Sequence, residues 1–238
     1  MHFLFPHMHN YNRQWSELLI NSIKKHMPDQ PIVQLSDELS ETLPGVKYMV
    51  TLHFDNKDDD YIYKIVEVYY RTGFEDILLC EGDMIFTGDM SELFDDDYEV
   101  SVCIRHENDG CSEAFKELFP YNIGFLVVKN RKFWLDCLSV YERTEINNPY
   151  YIGQFVFAEA INSGKYKVNF LDGGIYNRTP IDVNDHNDKT KMWHFKGKRK
   201  NFMLEWHERN CNGNIGENRR YNGHRADETE IRGYSGCT

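Results

Sequence analysis

No stretch of the 238-residue chain approaches the roughly 20 consecutive apolar residues that cross a bilayer, so no membrane span is expected. A basic leader is missing as well. The first apolar run, within MHFLFPHMHNYN, is broken by Pro6 and His7. It reads as an opening strand rather than a signal peptide, so the expected location is the cytoplasm of the cell or of an infected host cell. The six cysteines include no C-x-x-C pair, and several lie in apolar segments where a reduced thiol packs as a small hydrophobe. That spacing indicates neither a disulfide framework nor a structural zinc site. Positive charge is also short. A net charge of −11 argues against a protein that coats nucleic acid by bulk electrostatics, although it leaves room for a local basic face.

What is present is the composition of one folded domain, 41% apolar and 14% aromatic, and long enough for a single sizeable core. The hydrophobic periodicity alternates between strand and helix. A first strand at His2 to Phe5 precedes a helix carrying Trp15, Leu18, Leu19 and Ile23, which Pro28 closes. PIVQL and KYMVT read as short strands, and Tyr61, Ile65, Val68 and Tyr69 as the inner face of a helix ended by Gly73. DILLCEGD follows as a strand. Asp89 with Glu92 suggests a capping box for a short helix at MSELF. EVSVCI and YNIGFLVVKN are further strands, and helices follow around Phe133 to Tyr141 and in GQFVFAEAI. The expectation is an α/β fold with a mainly parallel sheet covered by helices on both faces, its ligands bound at the carboxyl ends of the strands. Acidic runs at 58–60 and 95–97 read as solvated loops, and from about Asn201 the chain turns polar.

Against this apolar background, LLCEGDMIF places Glu81 and Asp83 directly after a four-residue apolar run. In extended chain, residues i and i+2 point to one side, so both carboxylates would converge. Two such anions repel unless a cation lies between them, and a hard divalent ion takes oxygen ligands of this kind. The alternative is an ordinary turn at the end of a strand. Near the C-terminus, MWHFKGKRKNF offers His194 as a third ligand and, in Lys196, Lys198, Arg199 and Lys200, cations for a diphosphate.

Together LLCEGDMIFTGDMSELF, YNIGFLVVKNRKFW and HFKGKRK resemble the nucleotide-sugar glycosyltransferases of the GT-A fold, particularly the retaining family-8-like group. The resemblance covers about residues 1–202, a GT-A-like domain, and leaves 203–238 as a polar extension that could be a lid, an acceptor surface or a tail. It implies a UDP-sugar donor held through Mn²⁺ or Mg²⁺ by Glu81, Asp83 and His194, with Lys200 on the diphosphate. It implies further that Gly197 allows close backbone approach and that Lys64 reaches the donor. Asn122 and Gly124 match a strand beneath the sugar, Tyr11 the aromatic that stacks on uracil, and Gln154 the glutamine near the anomeric carbon. The pattern departs from the family's at Glu81, where the first aspartate stands, at Gly153, where an aspartate precedes the glutamine, and at Asn201 and Phe202.

The related nucleotidyltransferases need a glycine-rich loop after the first strand, and FPHMHNYN has no glycine. A non-catalytic nucleotide-sugar-binding module remains the competing class. The acceptor is open among glycan, protein and a base in DNA. The DNA alternative rests on tail residues Arg209, Arg219, Arg220, Arg225 and Arg232, with Trp206 and Tyr221 as aromatics for an extruded base.

Overall fold

The computed structural model describes residues 1–53, 66, 69–107, 109–145 and 149–211. The strands are β1 (His2–Pro6), β2 (Ile32–Ser36), β3 (Tyr48–Thr51), β4 (Ile77–Leu79), β5 (Met84–Phe86), β6 (Val100–Ile104), β7 (Tyr121–Val128), β8 (Val168–Asp172) and β9 (Met192–His194). Between them run helices α1 (Arg13–His26), α2 (Glu92–Asp95), α3 (Glu113–Leu118), α4 (Lys132–Glu142), α5 (Pro149–Asn162) and α6 (Gly173–Tyr176). After β9 come a 3-10 helix (Gly197–Phe202) and α7 (Met203–Cys211).

Seven strands form one sheet in the order β3-β2-β1-β4-β7-β6-β8. All its pairings are parallel except the two made by β7, which is antiparallel to β4 and to β6. The mainly parallel α/β expectation therefore holds. Alternation along each strand divides the core. Leu4, Ile77 and Leu79 face the layer that holds Trp134 and Phe157 of α4 and α5, whereas Phe3, Phe5 and Leu78 face Leu19 and Ile23 of α1. Burial on both faces is why β4 reads as an unbroken apolar run.

Local signals set the helix ends. The Asn12 side chain accepts from the Gln14 amide at 2.9 Å and caps α1, whose last turn carries Lys24, Lys25 and His26 against the negative end of its dipole. The capping box at Asp89 and Glu92 does not form. Asp89 accepts from the amide and hydroxyl of Ser91, and Glu92 turns outward to Lys191 and the Tyr176 hydroxyl. Asp89 is thus satisfied within its own turn, which removes the acceptor such a box needs.

DILLCEGD is also not one strand. Its apolar half is β4, while β5 leaves for a separate two-stranded sheet with β9. Strands β8 and β9 escaped the sequence pattern. Of the helix expected around Tyr61 to Tyr69, Tyr61, Ile65 and Val68 lie outside the described residues; Tyr69 is helical and fully buried against Trp134.

Candidate metal and donor site

Leaving β4, the chain passes Cys80 and Glu81, turns at Gly82 and Asp83 and enters β5 at Met84. The two carboxylates therefore come from a turn, not from the alternation of an extended strand. Gly82 serves this turn. A Cβ there would lie 3.0 Å from Ser16 Oγ and 3.6 Å from the Pro6 carbonyl, so its space is filled by α1 and β1 rather than kept for a ligand. Ser16 is itself fixed at 2.9 Å from His7 Nδ1.

The β5–β9 pairing supplies the third group. Met84 is opposite His194, and the Phe195 amide donates to the Asp83 carbonyl at 2.9 Å, so Asp83 and the imidazole are held side by side by backbone. His194 Nε2 lies 2.9 Å from Glu81 Oε2 and 3.4 Å from Asp83 Oδ1. One ligand atom from each of Glu81, Asp83 and His194 falls within 4.8 Å of the others. The side chains of Asp83 and His194 are 6% and 3% exposed, whereas that of Glu81 is 47% exposed and leaves the cluster open on one side.

Two features orient this cluster. His194 Nδ1 donates to Asn177 Oδ1 at 2.9 Å, which turns Nε2 toward the carboxylates. Gly124 of β7 lies beneath it. A Cβ at Gly124 would come within 2.8 Å of His194 Cε1 and 3.0 Å of Glu81 Cδ, so only glycine leaves both side chains where they are. Gly124 reaches this point at an irregularity of the sheet. One step of β6, Val102 to Cys103, spans four of β7, Leu126 to Asn122.

Electrostatics here are strongly coupled. Burial pushes the Asp83 carboxyl up, but His194 and Lys200, each charged and hydrogen-bonded to it, outweigh burial and hold it well below the usual carboxylate range. Burial lowers the His194 imidazole, and Asp83 and Glu81 more than reverse this, raising it to about 9. Lys200 Nζ sits 2.9 Å from Asp83 Oδ2 and is raised in turn, chiefly by Asp83 acting against burial. Two carboxylates and an imidazole nitrogen around one point are a donor set for Mn²⁺ or Mg²⁺. The imidazole, its pKa raised to about 9, turns Nε2 toward both carboxylates, and the Lys200 ammonium pairs with Asp83.

The other expected residues are distributed around this centre. Tyr11 is exposed and edge-on to His7 at 6.3 Å. Gly197 has φ +53° with open space at its Cβ position, a conformation that favours glycine. Asn122 is buried, accepting from the Gly124 amide at 3.2 Å and donating to Asp109 Oδ1 at 3.4 Å. Gln154 of α5 accepts from Arg105 at 2.9 Å. Lys64 lies outside the described residues.

Of the cations in HFKGKRK, only Lys200 reaches a carboxylate of the cluster. Lys196 pairs with buried Asp109, which also holds Arg105, and Arg199 donates to the Pro180 carbonyl at 2.8 Å. Asn177, Arg105 and Asp109 were not singled out from sequence. Trp206, offered there as an aromatic for an extruded base, is fully buried with Phe195, Trp193 and Met203, and its indole donates to the Asp185 carbonyl at 2.7 Å. A ring held in that way cannot stack on a base. The tail residues from 212 onward, including Arg219, Arg220, Tyr221, Arg225 and Arg232, lie outside the described residues.

No protein-family model matches the sequence, and neither does any curated protein. The likeness is in three dimensions. The chain is similar to the bifunctional glycosyltransferase WbbM, at 16% identity and TM-score 0.60, with 87% of this chain matching 48% of that one. It is similar to the galactosyltransferase LgtC, solved with donor and acceptor sugar analogues, at 14% identity and TM-score 0.57, covering 87% of this chain and 96% of LgtC. A third likeness is to the glycosyltransferase GlyE of Streptococcus pneumoniae TIGR4, at 13% identity and TM-score 0.59, over 86% of this chain and 59% of that one. The chain thus spans about half the length of WbbM and nearly all of LgtC. Its fold is the GT-A type of these glycosyltransferases, as the sequence motifs implied.

Proposed function

We propose that the protein is a metal-dependent glycosyltransferase that moves a sugar from a UDP-sugar to an acceptor hydroxyl or amine with retention of configuration. The observation that carries this reading is the convergence of Glu81, Asp83 and His194 within 4.8 Å, with Lys200 on Asp83, in a GT-A fold. A bound Mn²⁺ or Mg²⁺ would supply positive charge that stabilises the leaving diphosphate, so that no protein side chain need protonate it beforehand. Lys200, its pKa raised, keeps its charge and stands where negative charge develops on that leaving group. Glu81, Asp83 and His194 would hold that ion, His194 through Nε2. Asn177 holds the ring in that orientation.

In this assignment Tyr11 stacks on the base, and Lys64 and the Gly197 backbone approach the donor. Asn122 and Gly124 underlie the sugar, and Gln154 sits near the reacting carbon with its amide oxygen turned to Arg105. The bond from the anomeric carbon to the β-phosphate oxygen breaks and a bond to the acceptor forms on the same face. That places the acceptor's proton beside the departing diphosphate oxygen, which takes it.

Release of UDP from a panel of UDP-sugars, with and without Mn²⁺, tests the reading. Metal-dependent release from one donor, lost in Asp83→Asn, is expected. A protein that binds UDP with metal yet releases none from any donor, whatever acceptor is supplied, is a binding module and overturns it.

A further inference from the structure

Resting on that reading, we infer that the acceptor is an uncharged carbohydrate, seated in an open cleft at the carboxyl ends of β6 and β8. The cleft has a volume of about 510 Å³, within the size range of small-molecule sites, and is lined by Ile104, Arg105, His106, Glu107, Phe170 and Asp172. It is the neighbour of the proposed reacting centre. Arg105, on its wall, donates to Gln154 and to buried Asp109, and Asp109 in turn holds Lys196, two residues beyond His194.

Its chemistry is two-sided. Ile104 and Phe170 are 47% and 48% exposed, and Phe170 is immobilised by stacking on Tyr121 at 5.6 Å and 21°, so a flat apolar face is presented to solvent. Beside that face stands Asp172. One of its oxygens caps α6 by accepting from the Gly174 amide at 2.7 Å, and the other has no partner among the described residues. Gly173 and Gly174 bring this corner close to the β6 exit. A Cβ at Gly173 would clash with the Ile104 carbonyl, and one at Gly174 would meet the His106 ring at 2.9 Å. An aromatic plane flanked by carboxylate acceptors matches a pyranose ring, whose C–H face is apolar and whose hydroxyls donate at its edge.

The charge of the cleft selects against a polyanion. The Arg105 guanidinium is committed to Asp109, Gln154 and the Phe119 carbonyl, so its charge is balanced within the wall. The acidic groups at the rim are Glu107 and Asp172, and a phosphodiester chain laid across them would be repelled. A neutral glycan meets no such repulsion.

The experiment uses the full chain with the donor found above, neutral di- and trisaccharides of gluco, galacto and manno configuration, a sulfated oligosaccharide and a short DNA duplex. Saccharide binding is read independently of turnover by saturation-transfer NMR. Transfer to one neutral saccharide is expected, with its KM raised roughly tenfold in Phe170→Ala and in Asp172→Asn, which preserves the helix cap. The Kd of UDP with Mn²⁺ in the same variants reports that the fold is intact. Wild-type binding and KM in both variants, or preference for the sulfated sugar or the duplex, would overturn the inference. Absence of UDP release from every donor, with saccharide binding still lost in Phe170→Ala, would instead count against the glycosyltransferase reading and leave the cleft as a carbohydrate site.

Discussion

His194 and Asn177 are joined by a 2.9 Å hydrogen bond from Nδ1 to the amide oxygen, and this bond aims Nε2 at Glu81 and Asp83. Both residues are buried, so neither can exchange its partner for water. The imidazole is thereby fixed in position before any ion arrives.

Replacing Asn177 with alanine should therefore weaken Mn²⁺ binding about 10- to 100-fold, with the three ligands untouched. Calorimetric titration of Mn²⁺ into the variant checks this, and unchanged affinity would show that Asn177 does not orient the ring.

Asp83→Asn should reduce metal-dependent UDP release roughly a thousandfold or more, and remove the thermal stabilisation that Mn²⁺ gives the wild type. Activity and the Tm difference with and without Mn²⁺ report the two effects together.

Metal affinity should rise with pH. The His194 pKa is raised to about 9 by its carboxylate neighbours, so at pH 7 a bound ion must displace a proton, and affinity should fall about tenfold for each unit of pH lowered below 9. The sign for the metal-free fold is the reverse. A raised folded pKa means that this stabilisation is fully present below about 6.5, the unfolded value, and is lost as pH rises through 9. Denaturant midpoints from pH 6 to 9.5 should decline without metal and hold with saturating Mn²⁺.

Gly124→Ala adds a methyl group 2.8 Å from His194 Cε1 and 3.0 Å from Glu81 Cδ. The substitution should destabilise by about 1–3 kcal/mol and abolish the Mn²⁺-dependent Tm shift, because the ligands must move apart. A variant that kept the shift would show that they can adjust.

Much of this was legible from the chain because the fold puts its strongest local signals near the site. Residues 77–79 are buried on both faces of a central strand, so the abrupt change to Glu81 and Asp83 stood out. Short elements hid the rest. Strands β5 and β9 each have three residues, too few for a period to show, and their pairing is a tertiary event. The carboxylates consequently converge by a turn and a ladder where alternation along a strand was anticipated. Asn177 carried no signal, since its role depends on the loop that returns to β9. Charge alone does not distinguish the lysines of HFKGKRK; the family resemblance marked Lys200 for the diphosphate, and the fold sets Lys200 on Asp83 and Lys196 on Asp109.

The β5–β9 ladder brings together positions 113 residues apart, the separation of Glu81 and His194. An ion coordinated there acts on chain statistics as a removable cross-link does, closing one long loop that unfolding must reopen. The loop enclosed by that clip contains β6, β7 and α5, and with them Asn122, Gln154 and most of the sheet's far edge. Occupancy of a site a few ångströms across is thereby coupled to the persistence of nearly half of the chain.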